Sequence, residues 1–177
     1  MTALIITVLG DDQPGLVDAL ARAVASHDGN WVESSLSRLS GKFAGVVRIT
    51  APDDQANALA DAIRNLGETD GLRIVVEPVA DDTPSPQQPG PDLVLEAIGL
   101  DRTGIVRDIA HALARHGVNV TAFESRVFNA PMSGERMFRA EARLTAPEAL
   151  DAGSLNSALD AVAEALNVEI QLHDQQA

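Results

Sequence analysis

An aspartate and a glycine recur at the same spacing in two stretches of the chain. Residues 10–17 read GDDQPGLV and residues 99–106 read GLDRTGIV. Each stretch ends a predicted strand and opens a predicted helix, where unpaired backbone N–H groups suit a carboxylate. The aspartate, Asp12 or Asp101, supplies an acceptor for an α-amino group. The pattern therefore predicts two sites of the kind that an amino acid would fit.

The candidate ligand-binding residues lie in these two turns and at one asparagine downstream of each turn. The asparagines both donate and accept hydrogen bonds, and we expect each to close its site from the neighbouring strand. The full set is Asp11, Asp12, Pro14, Gly15, Leu16 and Asn30 in the first half, and Asp101, Arg102, Thr103, Gly104, Ile105 and Asn119 in the second.

Each of these residue types also has a purely structural interpretation. Asp12 and Asp101 suit the N-cap of a helix. The two turn glycines would permit close packing of helix on strand, and the two asparagines would tolerate left-handed backbone after a helix. His27 and His116 stand at equivalent predicted helix C-termini, where the helix dipole favours a cation.

The two turns belong to a longer internal repeat. Its offset is 89 residues in the first half of the repeat and 95 in the second, which places a six-residue insertion around residues 129–134. Hydrophobic periodicity predicts the order β-α-β-β-α-β in both copies. The predicted strands are 3–9, 30–39, 42–51 and 72–79, then 92–98, 118–128, 136–145 and 168–172. The predicted helices are 14–27, a segment opened by Pro52 and Asp53, 105–116 and 155–166.

With right-handed crossovers, this order gives a four-stranded antiparallel sheet with both helices on one face. We therefore expect an α+β protein with modules at residues 1–80 and 92–177. The connector, residues 81–91, contains four prolines and is expected to be extended and semi-rigid. Apolar residues such as Val46 and Val47 fall on both faces of the strands, which predicts that the other copy or a second chain covers the outer sheet face.

Composition excludes several classes of function. The formal net charge of −13 comes without a basic run, which argues against nucleic acid and anionic membranes as partners. With no cysteine, disulfides and thiolate chemistry are impossible. Neither metal-ligand spacing nor a serine nucleophile motif is present, so we expect no metal, no cofactor and no enzymatic activity. The first residues lack a basic leader and no membrane-length apolar run occurs, so a cytoplasmic location is expected.

The pattern G-x-D-x-x-G-[LI]-V, followed by Asn at the next strand, resembles the ACT-domain family in both halves. The resemblance implies a ferredoxin-like β-α-β-β-α-β fold and a small effector such as an amino acid. Two such modules without a catalytic domain, with a longer second hairpin preceded by Glu124-Ser125-Arg126, resemble the glycine cleavage system transcriptional repressor group. That resemblance implies action through a protein partner such as a transcription regulator.

Two residues depart from the family pattern. Thr103 stands where a proline is expected, and Gln13 stands where a basic residue is common. The departures leave two alternatives: unequal binding by the two turns, or loss of the ligand from one of them.

Three functional hypotheses follow. The favoured one is a non-enzymatic regulatory protein that binds an effector such as glycine between ACT modules, forms a homo-oligomer and acts through a protein partner. The second is an interaction module that has kept the fold without the ligand. The third is an enzyme or the regulatory subunit of one, acting in amino-acid metabolism.

Overall fold

The computed structural model describes residues 1–80 and 90–174, which fold as two compact units. Each unit contains one copy of the repeat. Most of the predicted connector lies outside the described residues, so its extended conformation and the predicted domain limits stay predictions.

The first unit contains four strands and two helices, in the predicted order. The strands are β1 (Thr2–Asp11), β2 (Asn30–Leu39), β3 (Lys42–Ala51) and β4 (Arg73–Val79), and the helices are α1 (Leu16–Ala25) and α2 (Ala56–Asp70).

The second unit repeats this order. Its strands are β5 (Asp92–Leu100), β6 (Asn119–Asn129), β7 (Arg136–Thr145) and β8 (Val168–Asp174), and its helices are α3 (Ile105–Arg115) and α4 (Ala152–Leu166).

Both sheets are antiparallel and have the same topology, with strand orders β2-β3-β1-β4 and β6-β7-β5-β8. This confirms the α+β, ferredoxin-like prediction for each unit. Alternation along the strands buries one face: Leu4, Ile6 and Val8 of β1 point towards the helices, and the residues between them face outwards. On the helices, Leu20 of α1 and Ile63 of α2 are fully buried against this face.

The largest difference from the sequence prediction is the start of α2. The carbonyl of Pro52 accepts hydrogen bonds from the N–H groups of Gln55 (2.9 Å) and Ala56 (3.0 Å), so a turn precedes the helix. Asp53 does not open the helix; it accepts from the Thr2 hydroxyl at 2.8 Å and pairs with the terminal amine at 3.1 Å. These contacts, the Thr2 hydrogen bond first, hold the pKa of the Asp53 carboxyl below its usual value.

Two equivalent glycines allow the last strand of each unit to approach the first. A Cβ on Gly10 would lie 2.3 Å from the end of the Leu72 side chain. A Cβ on Gly99 would lie 2.8 Å from the Cα of Val168 and 2.9 Å from the Asn167 carbonyl oxygen. The contact at Gly10 is with a flexible side chain, whereas the contacts at Gly99 include backbone that cannot rotate away.

We therefore expect Gly99→Ala to destabilise its unit by about 1–3 kcal/mol, the usual cost of overpacking, and Gly10→Ala to cost less. Urea denaturation of the two variants measures the difference. Equal destabilisation would show that Leu72 adjusts no more easily than the backbone at Val168.

Candidate functional site

Each candidate turn connects the first strand of a unit to its first helix. The helix N-caps are Gly15 (φ 97°) and Gly104 (φ 102°), both in left-handed backbone that side chains rarely adopt. Because a glycine has no side chain to cap the helix, the first-turn N–H groups of α1 and α3 remain available for a ligand at these positions. The carbonyls of Gly15 and Gly104 begin the helical hydrogen bonds, accepting from Ala19 and Asp108 at 2.9 Å.

The interpretation of Asp12 and Asp101 as N-caps is wrong, since the glycines hold the cap positions. Asp12 pairs with Arg38 at 3.4 Å, and Asp101 pairs with Arg136 at 3.3 Å. The two arginines come from non-equivalent positions, one near the end of β2 and the other at the start of β7. Each carboxylate is therefore held at the rim of its turn by an arginine, with about 30% of its side chain exposed.

The interpretation of the turn glycines as close-packing positions is also wrong. A Cβ on Gly15 would have no atom within 4 Å, and a Cβ on Gly104 would first meet the end of the Arg107 side chain at 3.3 Å. Conformation rather than crowding requires glycine at both positions. The close-packing role belongs instead to Gly10 and Gly99.

The other predicted turn residues divide into exposed and buried ones. Asp11 is exposed and forms an ion pair with Lys42. Pro14, Arg102 and Thr103 are also exposed. The side chains of Leu16 and Ile105 are 4% and 2% exposed and belong to the core, so these residues can offer a ligand only their backbone.

The two turns differ in charge. In the first turn, the amide of Gln13 donates to the carbonyl of Asp70 at 3.2 Å, which ties this position to the end of α2. At the equivalent position of the second turn, Arg102 is exposed and forms no ion pair with any residue of the described ranges. The second turn therefore has an available guanidinium where the first has an amide that is already hydrogen-bonded.

The first turns of α1 and α3 add to this difference in charge between the two turns. In the second unit, Arg107 of α3 pairs with Asp108 at 2.7 Å, and its side chain reaches the Gly104 turn. This contact raises the pKa of Arg107 and lowers that of the Asp108 carboxyl, so both stay charged. In the first unit, the residue equivalent to Arg107 is Asp18, which pairs with Arg22 at 2.5 Å. The second turn thus carries cations at two positions where the first has none.

The sequence patterns did not indicate the contributions of Arg107, Asp108 and Arg136. The charge reversal from Asp18 to Arg107 was visible in the aligned repeat and would have marked the second turn as the more cationic one. Arg136 occupies the position of Gly41 in the first unit, as the matching backbone hydrogen bonds of Asp12 and Asp101 show, and no local pattern indicates its contact with Asp101.

The structure places the two asparagines far from the turns of their own units. Asn30 pairs with Thr50, which pairs with Ala3, whereas Asp11 lies eight residues further along β1. At about 3.3 Å per residue, Asn30 and the turn are roughly 26 Å apart along the sheet. Asn119 is likewise level with Asp92, at the opposite end of β5 from its turn. One unit alone therefore does not bring its asparagine and its turn together.

The two predicted helix-end histidines have the surroundings expected of structural residues. The Nδ1 atoms of His27 and His116 lie 2.9 and 2.8 Å from the carbonyl oxygens of Ala23 and Ala112, at the ends of α1 and α3. In addition, Nε2 of His116 lies 3.1 Å from the hydroxyl of Ser154. These contacts favour the helix C-terminal role over a ligand contact.

Two surface grooves lie beside the helices that follow the turns. A groove of about 510 Å³ runs between α3 and α4, past His111 and Arg115, and an apolar groove of about 230 Å³ lies between α1 and Trp31. Residues 1–80 and 90–174 contain no cluster of His, Asp and Glu suited to a metal ion. Over the same residues, no helix is long and apolar enough to cross a membrane.

Comparison with known proteins identifies relatives of both the first unit and the whole chain. Residues 2–77 match the family model of the ACT domain. The glycine cleavage system transcriptional repressor of Escherichia coli (strain K12) is 26% identical over 183 residues, covering 98% of this chain and 94% of the relative.

Two further relatives cover nearly all of this chain. Phosphoserine phosphatase SerB2 of Mycobacterium tuberculosis (strain ATCC 25618 / H37Rv) is 28% identical over 174 residues, covering 97% of this chain but 41% of the phosphatase. The crystal structure of an unknown protein from Galdieria sulphuraria is 26% identical, with a TM-score of 0.81 and 99% of each chain covered.

Proposed function

Because the chain belongs to the ACT-domain family, we propose that it is a non-enzymatic regulatory protein that binds an amino-acid effector at the strand-to-helix turn of an ACT module. The observation that carries the proposal is the second turn. There, helix N–H groups, an exposed arginine and a rim carboxylate lie within a few residues of one another.

The second turn is the proposed principal site. Arg102 and the N–H groups after Gly104 would hold the effector carboxylate, and Asp101 would accept from its amino group. The surroundings of this turn are cationic overall. They contain three arginines, with Arg107 and Arg136 added to Arg102, and two carboxylates, those of Asp101 and Asp108. The first turn has no equivalent of Arg102, since Gln13 is bound to Asp70, and we propose that it binds the effector more weakly or not at all.

The proposed site is completed by a neighbouring module. Asn30 and Asn119 lie at the opposite ends of their sheets from the turns, so an asparagine reaches a turn only from another module. Antiparallel alignment of two edge strands would bring the asparagine end of one sheet beside the turn end of the other. This is our reason for proposing that the effector binds between modules of a homo-oligomer.

Regulation would follow from a difference in effector affinity between two arrangements of the modules, because a ligand shifts an equilibrium only through such a difference. The readout that we propose is contact with a protein partner, such as a transcription regulator, rather than with DNA. The similarity to the E. coli repressor over nearly the full length of both proteins supports a role in transcriptional control, and the net charge of −13 argues against direct contact with DNA. The effector, glycine or another amino acid, and the cytoplasmic location stay predictions.

A second candidate function is regulation of an enzyme of amino-acid metabolism. The match to 41% of a phosphoserine phosphatase shows that a sequence similar to this chain occurs within a longer enzyme. In this alternative the chain would act as the regulatory subunit of a separate enzyme. A ligand-free interaction module is the remaining alternative, and it would bind no amino acid.

Thermal melting with each of the common amino acids tests the proposal. A ligand at 100 times its Kd stabilises the state that binds it by about 2.7 kcal/mol, which raises the Tm of a unit of this size by about 10 to 20 °C. We expect one amino acid, or a few related ones, to raise the Tm. A Tm unchanged by all of them would favour the ligand-free interaction module.

A further inference from the structure

The outer face of the first sheet, opposite its helices, is apolar at its centre. The register places Val46, Thr7 and Val75 side by side across β3, β1 and β4. Val46 and Val75 are 43% and 52% exposed, and Leu9, on the same face of β1, is 44% exposed. Adjacent exposed apolar side chains of this kind mark an interaction surface more often than isolated ones do.

The equivalent face of the second sheet is charged. Glu96, Glu141 and Gln171 occupy the positions of Thr7, Val46 and Val75 in the corresponding row. The same fold therefore tolerates acidic side chains at two of these positions, including that of Val46, and folding alone does not require the apolar row of the first sheet.

Two of the charges that border the apolar row, both on β4, are self-complementary. On β4, Arg73 and Glu77 lie two residues to either side of Val75 and point to the same face. Consider two copies of this sheet packed face to face and related by a two-fold axis that lies between them, parallel to the row. Val46 of one copy would then contact Val46 of the other, and Val75 would contact Val75. The same rotation would place Arg73 of one copy opposite Glu77 of the other, and the reverse.

We propose that the outer face of the first sheet is the docking surface for a second copy of this chain. The two sheets would pack face to face about that two-fold axis, with the apolar row at the centre and two Arg73–Glu77 pairs at the border. The inference goes beyond the effector proposal and does not rest on it, since a chain without an amino-acid ligand would present the same face.

The area of the outer face of the first sheet determines the affinity that we expect for the dimer. Four strands about 4.8 Å apart, with β1 and β3 each ten residues long, give a face of about 600 Å² per copy. The total of roughly 1,200 Å² is at the lower end for a specific interface, so we expect a dimer with a Kd in the micromolar range. The net charge of −13 makes two copies repel each other, and the measurement therefore requires at least physiological ionic strength.

Sedimentation equilibrium of the full chain tests the proposal. We expect Val46→Glu to weaken dimerisation by about 100-fold or more, because each dimer would bury two opposed and unpaired carboxylates. The substitution copies Glu141 of the second sheet, so the fold should tolerate it, as circular dichroism can show. Glu141→Gln in the second sheet is the matched control and should leave the dimer unchanged.

Charge exchange tests the two-fold arrangement itself. Arg73→Glu and Glu77→Arg should each weaken the dimer, and the double variant should recover it, because the swap preserves both pairs. A wild-type chain that remains monomeric at several hundred micromolar would overturn the proposal. So would a Val46→Glu dimer of unchanged affinity, or a double variant as weak as the single ones.

Discussion

Replacing Asp101 with alanine is expected to weaken effector binding by about 10- to 100-fold, the effect of losing a hydrogen bond to a charged group. Its carboxylate is the acceptor that we assign to the effector's amino group. The substitution should cost little stability, because the Arg136 that it leaves unpaired is 71% exposed. Calorimetric titration with the amino acid that raises the Tm measures the change.

Asp12→Ala is the matched control for this prediction. Asp12 has the equivalent position and a similar ion pair, but it lies in the turn without a free arginine. Its replacement should leave the affinity within about twofold, since it removes no contact to the effector. If Asp12→Ala weakens binding and Asp101→Ala does not, the assignment of the site to the second turn is wrong.

The largest expected loss of stability comes from Leu95→Ala. Leu95 of β5 is fully buried, and its truncation should cost the second unit about 2–5 kcal/mol. Among the described residues, the core of this unit shares no member with the cores of the first unit. We therefore expect the loss to be confined to the second unit.

Hydrogen exchange measured on individual peptides shows which unit loses stability. In Leu95→Ala, amides of β5 to β8 should exchange faster while those of β1 to β4 keep their protection. Ile6→Ala, at an equally buried position of β1, should give the reverse pattern. Faster exchange throughout the chain in both variants would show that the two units unfold together.

The fold could be predicted because hydrophobic periodicity was strong and occurred twice. Strands 30–39, 42–51 and 136–145 were predicted with the bounds that the structure shows, and a short hairpin turn fixes where the first of them ends and the second begins. Ser40 and Gly41 form that turn with positive φ angles of 50° and 77°. The predicted start of α2 at Pro52 and Asp53 was wrong, because Pro52 is compatible with either a turn or a first helical residue and here begins a turn.

The geometry of the candidate site could be predicted only in part. The two strand-to-helix turns lie where the sequence places them, because glycine and aspartate at a strand end are a local signal. The role of Asp12 was not predictable, since its partner Arg38 lies 26 residues away in sequence. The separation of Asn30 from its turn depends on chain direction, because α1 returns the chain to the other end of the sheet and β2 starts level with Ala3 of β1.

Direct calorimetric titration of the intact chain against the common amino acids is the most decisive measurement. If the second turn is an effector site, one amino acid should bind with measurable heat and with a stoichiometry of one per chain. No heat from any amino acid under conditions where the chain is folded would contradict amino-acid binding. Two equal sites per chain would contradict the assignment to the second turn alone.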